Sequence, residues 1–148
     1  MSKTVKIIIV CATVIISGFA FWDVPRNKVT LLWEKDTIEN TAHAYLNAEM
    51  KKNSQLVYAL LAPSSDYKKT HSYENYLNDL KENPPLSMNE YKIVRIYNLR
   101  SNDNKENYPE VDKFVQVEVE ITFSNAGPNN IFNYSFTFLK EKGNWYKG

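Results

Sequence analysis

The 148-residue chain has few of the residues on which metal and nucleotide sites are usually built. Cys11 is its only cysteine, so neither an internal disulfide nor a cysteine-based metal site can form. Only four glycines are present and they are scattered, which excludes a glycine-rich phosphate-binding loop. The two histidines, His43 and His71, have no partner at metal-ligand spacing. Neither a metal nor another cofactor is therefore predicted.

The chain also has no marked excess of positive or negative charge. Lys and Arg total 18 against 17 for Asp and Glu, and the basic residues do not cluster along one face. Nucleic-acid binding usually needs a basic patch or stripe, so it is not predicted. What the chain has instead is a high aromatic content of 14%, which predicts an aromatic-rich core in one small domain.

The longest uncharged stretch lies at the N-terminus, where Ile7 to Trp22 form sixteen residues without a charge. Lys3 and Lys6 precede it and Asp23 follows it. The run is apolar on every side, which is typical of a targeting or anchoring segment rather than of a core helix. We therefore predict a signal anchor or a signal peptide over residues 1–22.

Three fates are open for this segment. A retained anchor would form a membrane helix and leave the rest of the chain outside the cytoplasm. Cleavage after Ala20 would release a secreted protein that begins at Phe21. Lipid attachment at Cys11 is disfavoured by Val10, which stands where a small residue is expected. Each fate predicts an extracytoplasmic domain.

The rest of the chain changes from helical to strand periodicity. Residues 23–35 carry mixed signals and are predicted to be a linker. A first helix is predicted to begin at Asp36 or Thr37, because apolar residues then recur at helical spacing. Two further helices are predicted, one ending at Pro63 and one capped by Ser72. Residues 36–148 thus form an α+β domain, with three helices packed on a curved antiparallel sheet of about four strands.

Two of the strands have a clear apolar face. Val115, Val117, Val119, Ile121 and Phe123 alternate with polar residues, and Phe132, Tyr134, Phe136 and Phe138 do the same. These apolar faces are predicted to lie under the helices. Glu118 and Glu120 would then lie on the opposite face as solvated charges that pair with Arg95 or Lys92, and not as a catalytic pair.

Several segments resemble the small NTF2-like (cystatin-like) domains of bacterial membrane-anchored proteins and lipoproteins. They are AHAYLNA at 42–48, LVYALLAP at 56–63, YENYL at 73–77 and KGNWYK at 142–147. The resemblance implies a cone whose pocket lies between the sheet and the helices. Enzymes with this fold place an Asp, His or Tyr in that pocket. The inward strand positions here offer no carboxylate or imidazole.

The first functional hypothesis is a non-enzymatic, membrane-tethered domain that binds a protein or a cell-envelope component, or pairs with a second copy through its sheet. The exposed sheet face would supply the binding residues, namely Phe114, Gln116, Glu118, Glu120, Thr122, Asn133, Ser135 and Thr137. The alternative is a small-molecule-binding or enzymatic cone of the isomerase or cyclase type. It would use His43, Tyr45 and Tyr134 as pocket residues.

Overall fold

Four helices precede a four-stranded antiparallel sheet in the computed structural model, which describes residues 23–124 and 130–148. The helices are α1 (Asp23–Met50), α2 (Ser54–Leu60), α3 (Asp66–Thr70) and α4 (Tyr73–Glu82). The strands are β1 (Met88–Ser101), β2 (Val111–Phe123), β3 (Ile131–Glu141) and β4 (Asn144–Lys147), and they are neighbours in chain order. The α+β prediction is confirmed, with one more helix than expected, the short α3.

The predicted signal anchor or signal peptide over residues 1–22 lies outside the described residues. Among the helices that are described, none contains a stretch long and apolar enough to span a bilayer.

The helix ends follow their capping residues. Asn53 caps α2 by accepting a hydrogen bond from the backbone N–H of Leu56, and Ser72 caps α4 in the same way through the N–H of Asn75. Side-chain oxygens at this position satisfy backbone donors that the helix itself leaves unpaired. The β3–β4 turn is made by Lys142 and Gly143, which both have positive φ angles as a two-residue hairpin turn of this kind requires.

One face of the sheet, here called the inner face, packs against α1. Its centre is formed by Val115, Val117, Val119 and Ile121, each at most 2% exposed. Ile38, Ala42 and Leu46 of α1 are fully buried against this face, together with Phe138 of β3. The predicted alternation of β2 is therefore confirmed. The opposite side, here called the outer face, carries Glu118 and Glu120.

The linker predicted over residues 23–35 is wrong in its secondary structure, because these residues form the first half of α1. Asp36 and Thr37 lie inside the helix and do not cap it. The apolar stripe continues backwards from Ile38 through Leu31, which packs against the core. Glu34 occupies the position between them and also faces the sheet.

Glu34 holds this half of α1 on the sheet through charge. Its carboxylate accepts hydrogen bonds from Lys113 Nζ at 2.5 Å, Lys140 Nζ at 2.8 Å and Trp145 Nε1 at 3.1 Å. Lys113 and Lys140 are register partners on β2 and β3, so without Glu34 two like charges would face each other. Burial alone would raise the pKa of Glu34, but the two lysines outweigh burial and lower it.

Replacing Glu34 by Gln is expected to lower the free energy of unfolding by about 2 kcal/mol at pH 7, because two charge-assisted hydrogen bonds are weakened. The folded-state pKa of Glu34 lies below its ordinary value of 4.5. Its contribution is therefore complete above that value and is lost as the pH falls through the lower folded-state pKa. Denaturant unfolding of the wild type and Glu34→Gln from pH 7 to pH 3 measures whether the difference shrinks.

Glu39 provides the matched control on the same helix, because its carboxylate makes no hydrogen bond or ion pair to any residue in 23–124 or 130–148. Glu39→Gln is expected to change the free energy of unfolding by less than about 0.5 kcal/mol. Equal effects of the two substitutions at all pH values would contradict the docking of Glu34.

Candidate functional site

An apolar groove opens on the inner face where α1 ends. Its floor is formed by Ile121 and Phe123 of β2 and by Tyr134 and Phe136 of β3. α1 stops at Met50, so the far end of the sheet extends past the helical cover. The groove has a volume of about 300 Å³, at the lower end of the range for small-molecule pockets. Its size and apolar floor suit side chains of a bound segment.

The walls come from α1 and from the connection between α4 and β1. Tyr45, Leu46 and Glu49 form one wall, and Pro85 and Leu86 form the other. Leu86 is 59% exposed although it is aliphatic. Together with Tyr134, which is 40% exposed, it adds accessible apolar surface to the groove.

Two polar groups of the groove, those of Tyr45 and Glu49, are paired with each other. The Tyr45 hydroxyl donates a hydrogen bond to Glu49 at 2.7 Å. Burial, together with the charge and hydrogen bond of Glu49, raises the pKa of Tyr45 well above its ordinary value, so this hydroxyl stays protonated. Lys147 lies over the rings of Tyr45 and Phe136, at 5.9 and 5.7 Å from their centroids. Burial lowers the pKa of Lys147, while the charge of Glu49 acts in the opposite direction.

The groove adjoins an unpaired stretch of strand. β4 pairs only with Phe138 to Glu141, so no strand in the described part of the chain pairs with Ile131 to Phe136 on the side away from β2. This stretch is here called the open edge of β3. The Thr137 carbonyl accepts the last bond on this side, from the backbone N–H of Gly148. Because backbone groups alternate along a strand, Asn133 and Ser135 present their N–H and C=O groups to the open side.

The open edge lacks the protection that edge strands usually carry. No charged residue occurs from Ile121 to Leu139. The other edge strand, β1, carries Glu90, Lys92, Arg95 and Arg100 and has three register irregularities. Charges and bulges are the devices that keep an edge from pairing with another chain. β1 is therefore protected against strand addition, and β3 is not.

The outer face does not present the single exposed strip that was predicted. Glu118 forms an ion pair with Arg95, and Glu120 lies 3.8 Å from Lys92 Nζ, so the predicted cross-strand pairing is confirmed. Gln116 bonds to the hydroxyls of both Thr137 and Ser135 at 3.0 Å. These side chains satisfy one another across the strands. Thr122 is half-buried, and Asn133 is exposed.

The predicted exposure of Phe114 is wrong. Phe114 is 6% exposed and forms a second apolar cluster with Ala62, Val111 and Leu139. The loop between β1 and β2 folds over this end of the outer face, where the side-chain amide of Asn102 donates to the carbonyls of Tyr108 and Val111. The ring of Tyr108 packs edge-on against the ring of Phe114, with 5.6 Å between the ring centroids. Phe114 is thus a core residue of this second cluster.

The structure separates the three predicted pocket residues. Tyr45 and Tyr134 both line the groove. His43 does not, because its Nδ1 bonds to the Tyr91 hydroxyl at 2.9 Å on the β1 side of α1. Tyr91 donates its own hydrogen to Asn47 Oδ1, also at 2.9 Å. Nδ1 of His43 must then be the donor, so its ring is engaged away from the groove.

Several groove residues were missed in the sequence, among them Glu49 and Leu86. Glu49 follows Tyr45 by four residues and Leu46 by three, which places it on the same face of α1. That spacing could have identified it. Leu86 lies in a segment without regular structure between α4 and β1, and periodicity gives no information about such a position.

Comparison with known proteins adds no family: no protein-family model and no curated protein matches this chain. Within residues 23–124 and 130–148, no group of three His, Cys, Asp or Glu side chains is arranged to hold a metal ion. The groove and the open edge of β3 are therefore the features of the described residues that indicate a function.

Proposed function

We propose that this chain is a non-enzymatic, membrane-tethered domain outside the cytoplasm that binds an extended segment of a protein partner. The segment would add to the open edge of β3 as a further strand, with alternate side chains in the groove. The signal-anchor pattern of residues 1–22 supports the tether. An NTF2-like cone is part of the proposal, supported by the helical cover on one face of an antiparallel sheet.

The observation that carries this proposal is the position of an uncharged, unpaired strand edge beside an apolar groove. Strand addition takes its affinity from backbone hydrogen bonds and its specificity from pockets for alternate side chains. The open edge of β3 offers the first, and the groove offers the second. Phe132 and Tyr134, both 40% exposed, lie on the inner face of this edge, where an added strand would cover them.

A non-enzymatic role is supported by how the polar groups are used. Tyr45 donates to Glu49, and His43 is bonded to Tyr91 away from the groove. A general base has to reach a substrate proton within hydrogen-bond distance. The imidazole is on the wrong side of α1 for this, and the Glu49 carboxylate is held by the Tyr45 hydroxyl.

Photo-crosslinking in intact membranes tests the proposal. A benzophenone amino acid replaces Tyr134, on the inner face beside the open edge, in the full-length chain. The matched control replaces Thr122, which lies near the same end of the sheet but on the outer face. We expect an adduct with a different protein from position 134 and none from position 122. An adduct only from position 122 would contradict the proposal and indicate that the interface is on the outer face. An adduct between two copies of this chain would indicate self-association instead of binding to a different protein.

One observation favours a second function, small-molecule binding: Glu49 places a carboxylate in a groove with an apolar floor. A ligand with a hydrogen-bond donor could take the place of the Tyr45 hydroxyl. This function predicts that crosslinking at position 134 gives no protein adduct. It also predicts that mass spectrometry of the denatured protein detects a co-purified apolar molecule, which Glu49→Gln removes.

A further inference from the structure

The two large apolar side chains with the highest exposed fractions among the described residues lie on the first half of α1. Leu32 is 75% exposed and Trp33 is 83% exposed, and Val29, one turn earlier, is 37% exposed. These three residues are here called the α1 patch. Their spacing of three and four residues places them on one side of the helix. Isolated apolar residues are common on protein surfaces, but a contiguous patch that includes a tryptophan indicates an interaction site.

The α1 patch points away from the sheet. Leu31 and Glu34 hold the opposite side of the helix against the inner face, Leu31 by apolar packing and Glu34 by its bonds to Lys113 and Lys140. At about 100° per residue, Leu32 and Trp33 fall on the far side from these contacts. The domain therefore cannot bury the patch without releasing α1.

The position of the patch in the chain indicates what covers it. The described part of α1 starts at Asp23, directly after the uncharged run from Ile7 to Trp22. The helix rise of about 1.5 Å per residue places Trp33 roughly 15 Å along the axis from this point. The headgroup layer is only about 5–8 Å thick, so a helix leaving the bilayer upright would carry Trp33 beyond it. A helix lying along the surface would instead keep the patch at the lipid interface.

The charges beside the patch fit an anionic lipid surface. Lys28 and Lys35 are both exposed and flank Leu32 on the helix. Of the two nearby acids, Glu34 is turned to the sheet and bonded to Lys113 and Lys140, whereas Asp36 is exposed on the side of the patch. Among Lys28, Lys35 and Asp36 the basic charge still predominates. Helices that lie in a membrane interface combine Trp and Leu on one face with Lys or Arg at its borders. Tryptophan in particular is enriched at the headgroup level.

We infer that the first half of α1 lies on the membrane surface, with Leu32 and Trp33 inserted into an anionic lipid interface and the sheet turned away from the bilayer. This inference rests on the membrane tether of the proposed function. It adds an orientation to that function, because the helix fixes the domain against the membrane and leaves the groove on the side of α1 that faces the sheet.

Spin-label accessibility in the full-length chain tests the inference. A nitroxide is attached at Leu32→Cys in a Cys11→Ser background, after reconstitution in phosphatidylcholine vesicles with and without phosphatidylglycerol. The control label is at Lys142→Cys, in the exposed β3–β4 turn. We expect accessibility to an aqueous nickel complex to be several-fold lower at position 32 than at 142, with high oxygen accessibility and a larger effect in anionic vesicles.

Two results would overturn the inference. Equal nickel accessibility at both positions would mean that the patch is in water, and protection from both nickel and oxygen would mean that protein covers it. An alkaline wash of the same vesicles tests the membrane tether of the proposed function separately from this inference. A chain that is washed off contradicts the tether and with it this inference, whereas a chain that stays bound with a water-exposed label contradicts only the inference.

Discussion

Replacing Val119 by Glu is expected to lower the free energy of unfolding by about 3–5 kcal/mol, because it buries a charge without a partner. Val119 is 0% exposed at the centre of the inner face. A small domain has only about 5–15 kcal/mol of stability in total, so this substitution should remove a large share of it. Denaturant unfolding of the full-length chain, followed by far-UV circular dichroism, measures the change.

Glu120 supplies the matched control for this substitution, because it is the next residue along β2 and points to the outer face. Its side chain is 35% exposed, and its nearest opposite charge is Lys92 Nζ at 3.8 Å. Glu120→Val removes an exposed ion pair worth at most about 1 kcal/mol and adds a good strand former. We expect a change within about 1 kcal/mol. Comparable losses from both substitutions would contradict the assignment of the two sheet faces.

The second large effect is expected for Phe138→Ala, which should cost about 3–5 kcal/mol of unfolding free energy. Phe138 is 0% exposed and lies opposite Val115 in the strand register. Removing its ring leaves a cavity between β3 and α1 that the rigid packing around it cannot fill. Thermal unfolding monitored by near-UV and far-UV circular dichroism detects this loss.

Phe132 tests the same strand at its uncovered end. It has the same side chain on the same face as Phe138 but is 40% exposed, and its ring contact with Phe123 is 5.7 Å between centroids. Phe132→Ala is expected to cost only about 1 kcal/mol, the value of one exposed aromatic contact. Equal costs at positions 132 and 138 would mean that the helical cover extends over the whole strand and that the groove does not exist.

The inner face of β2 could be predicted because strand alternation is strict there. From Lys113 onward the register with β3 is regular, so residues two apart stay on one face. β1 could not be assigned for the opposite reason. Its register shifts between Ile93 and Arg95 and again between Tyr97 and Arg100, and each shift reverses which residues face inward.

The first half of α1 escaped prediction because its inward contact is electrostatic. A search for apolar periodicity finds Leu31 and Ile38 but treats Glu34 between them as a break in the stripe. The inward lysines Lys113 and Lys140 give Glu34 a reason to face the sheet, yet they are far away in sequence. Asp36 also resembles a helix cap, which shortened the predicted helix.

The groove could be predicted only in part. Tyr45 and Tyr134 were identified because both lie on inward positions of their elements. His43 was a pocket candidate on the condition that its side of the helix faces the sheet, but it lies about 160° from Tyr45 around the helix axis. The open edge of β3 could not be predicted, because the alternating pattern of β3 carries no sign of which of its residues pair with β4.

The most direct test of strand addition at the open edge of β3 is the adduct from position 134 in two variants of Asn133. Asn133→Pro removes a backbone N–H that faces the open side, so it should abolish the adduct while β2 pairing persists. Asn133→Val keeps the N–H and should leave the adduct at the wild-type level. Equal adduct yields in the two variants would contradict strand addition.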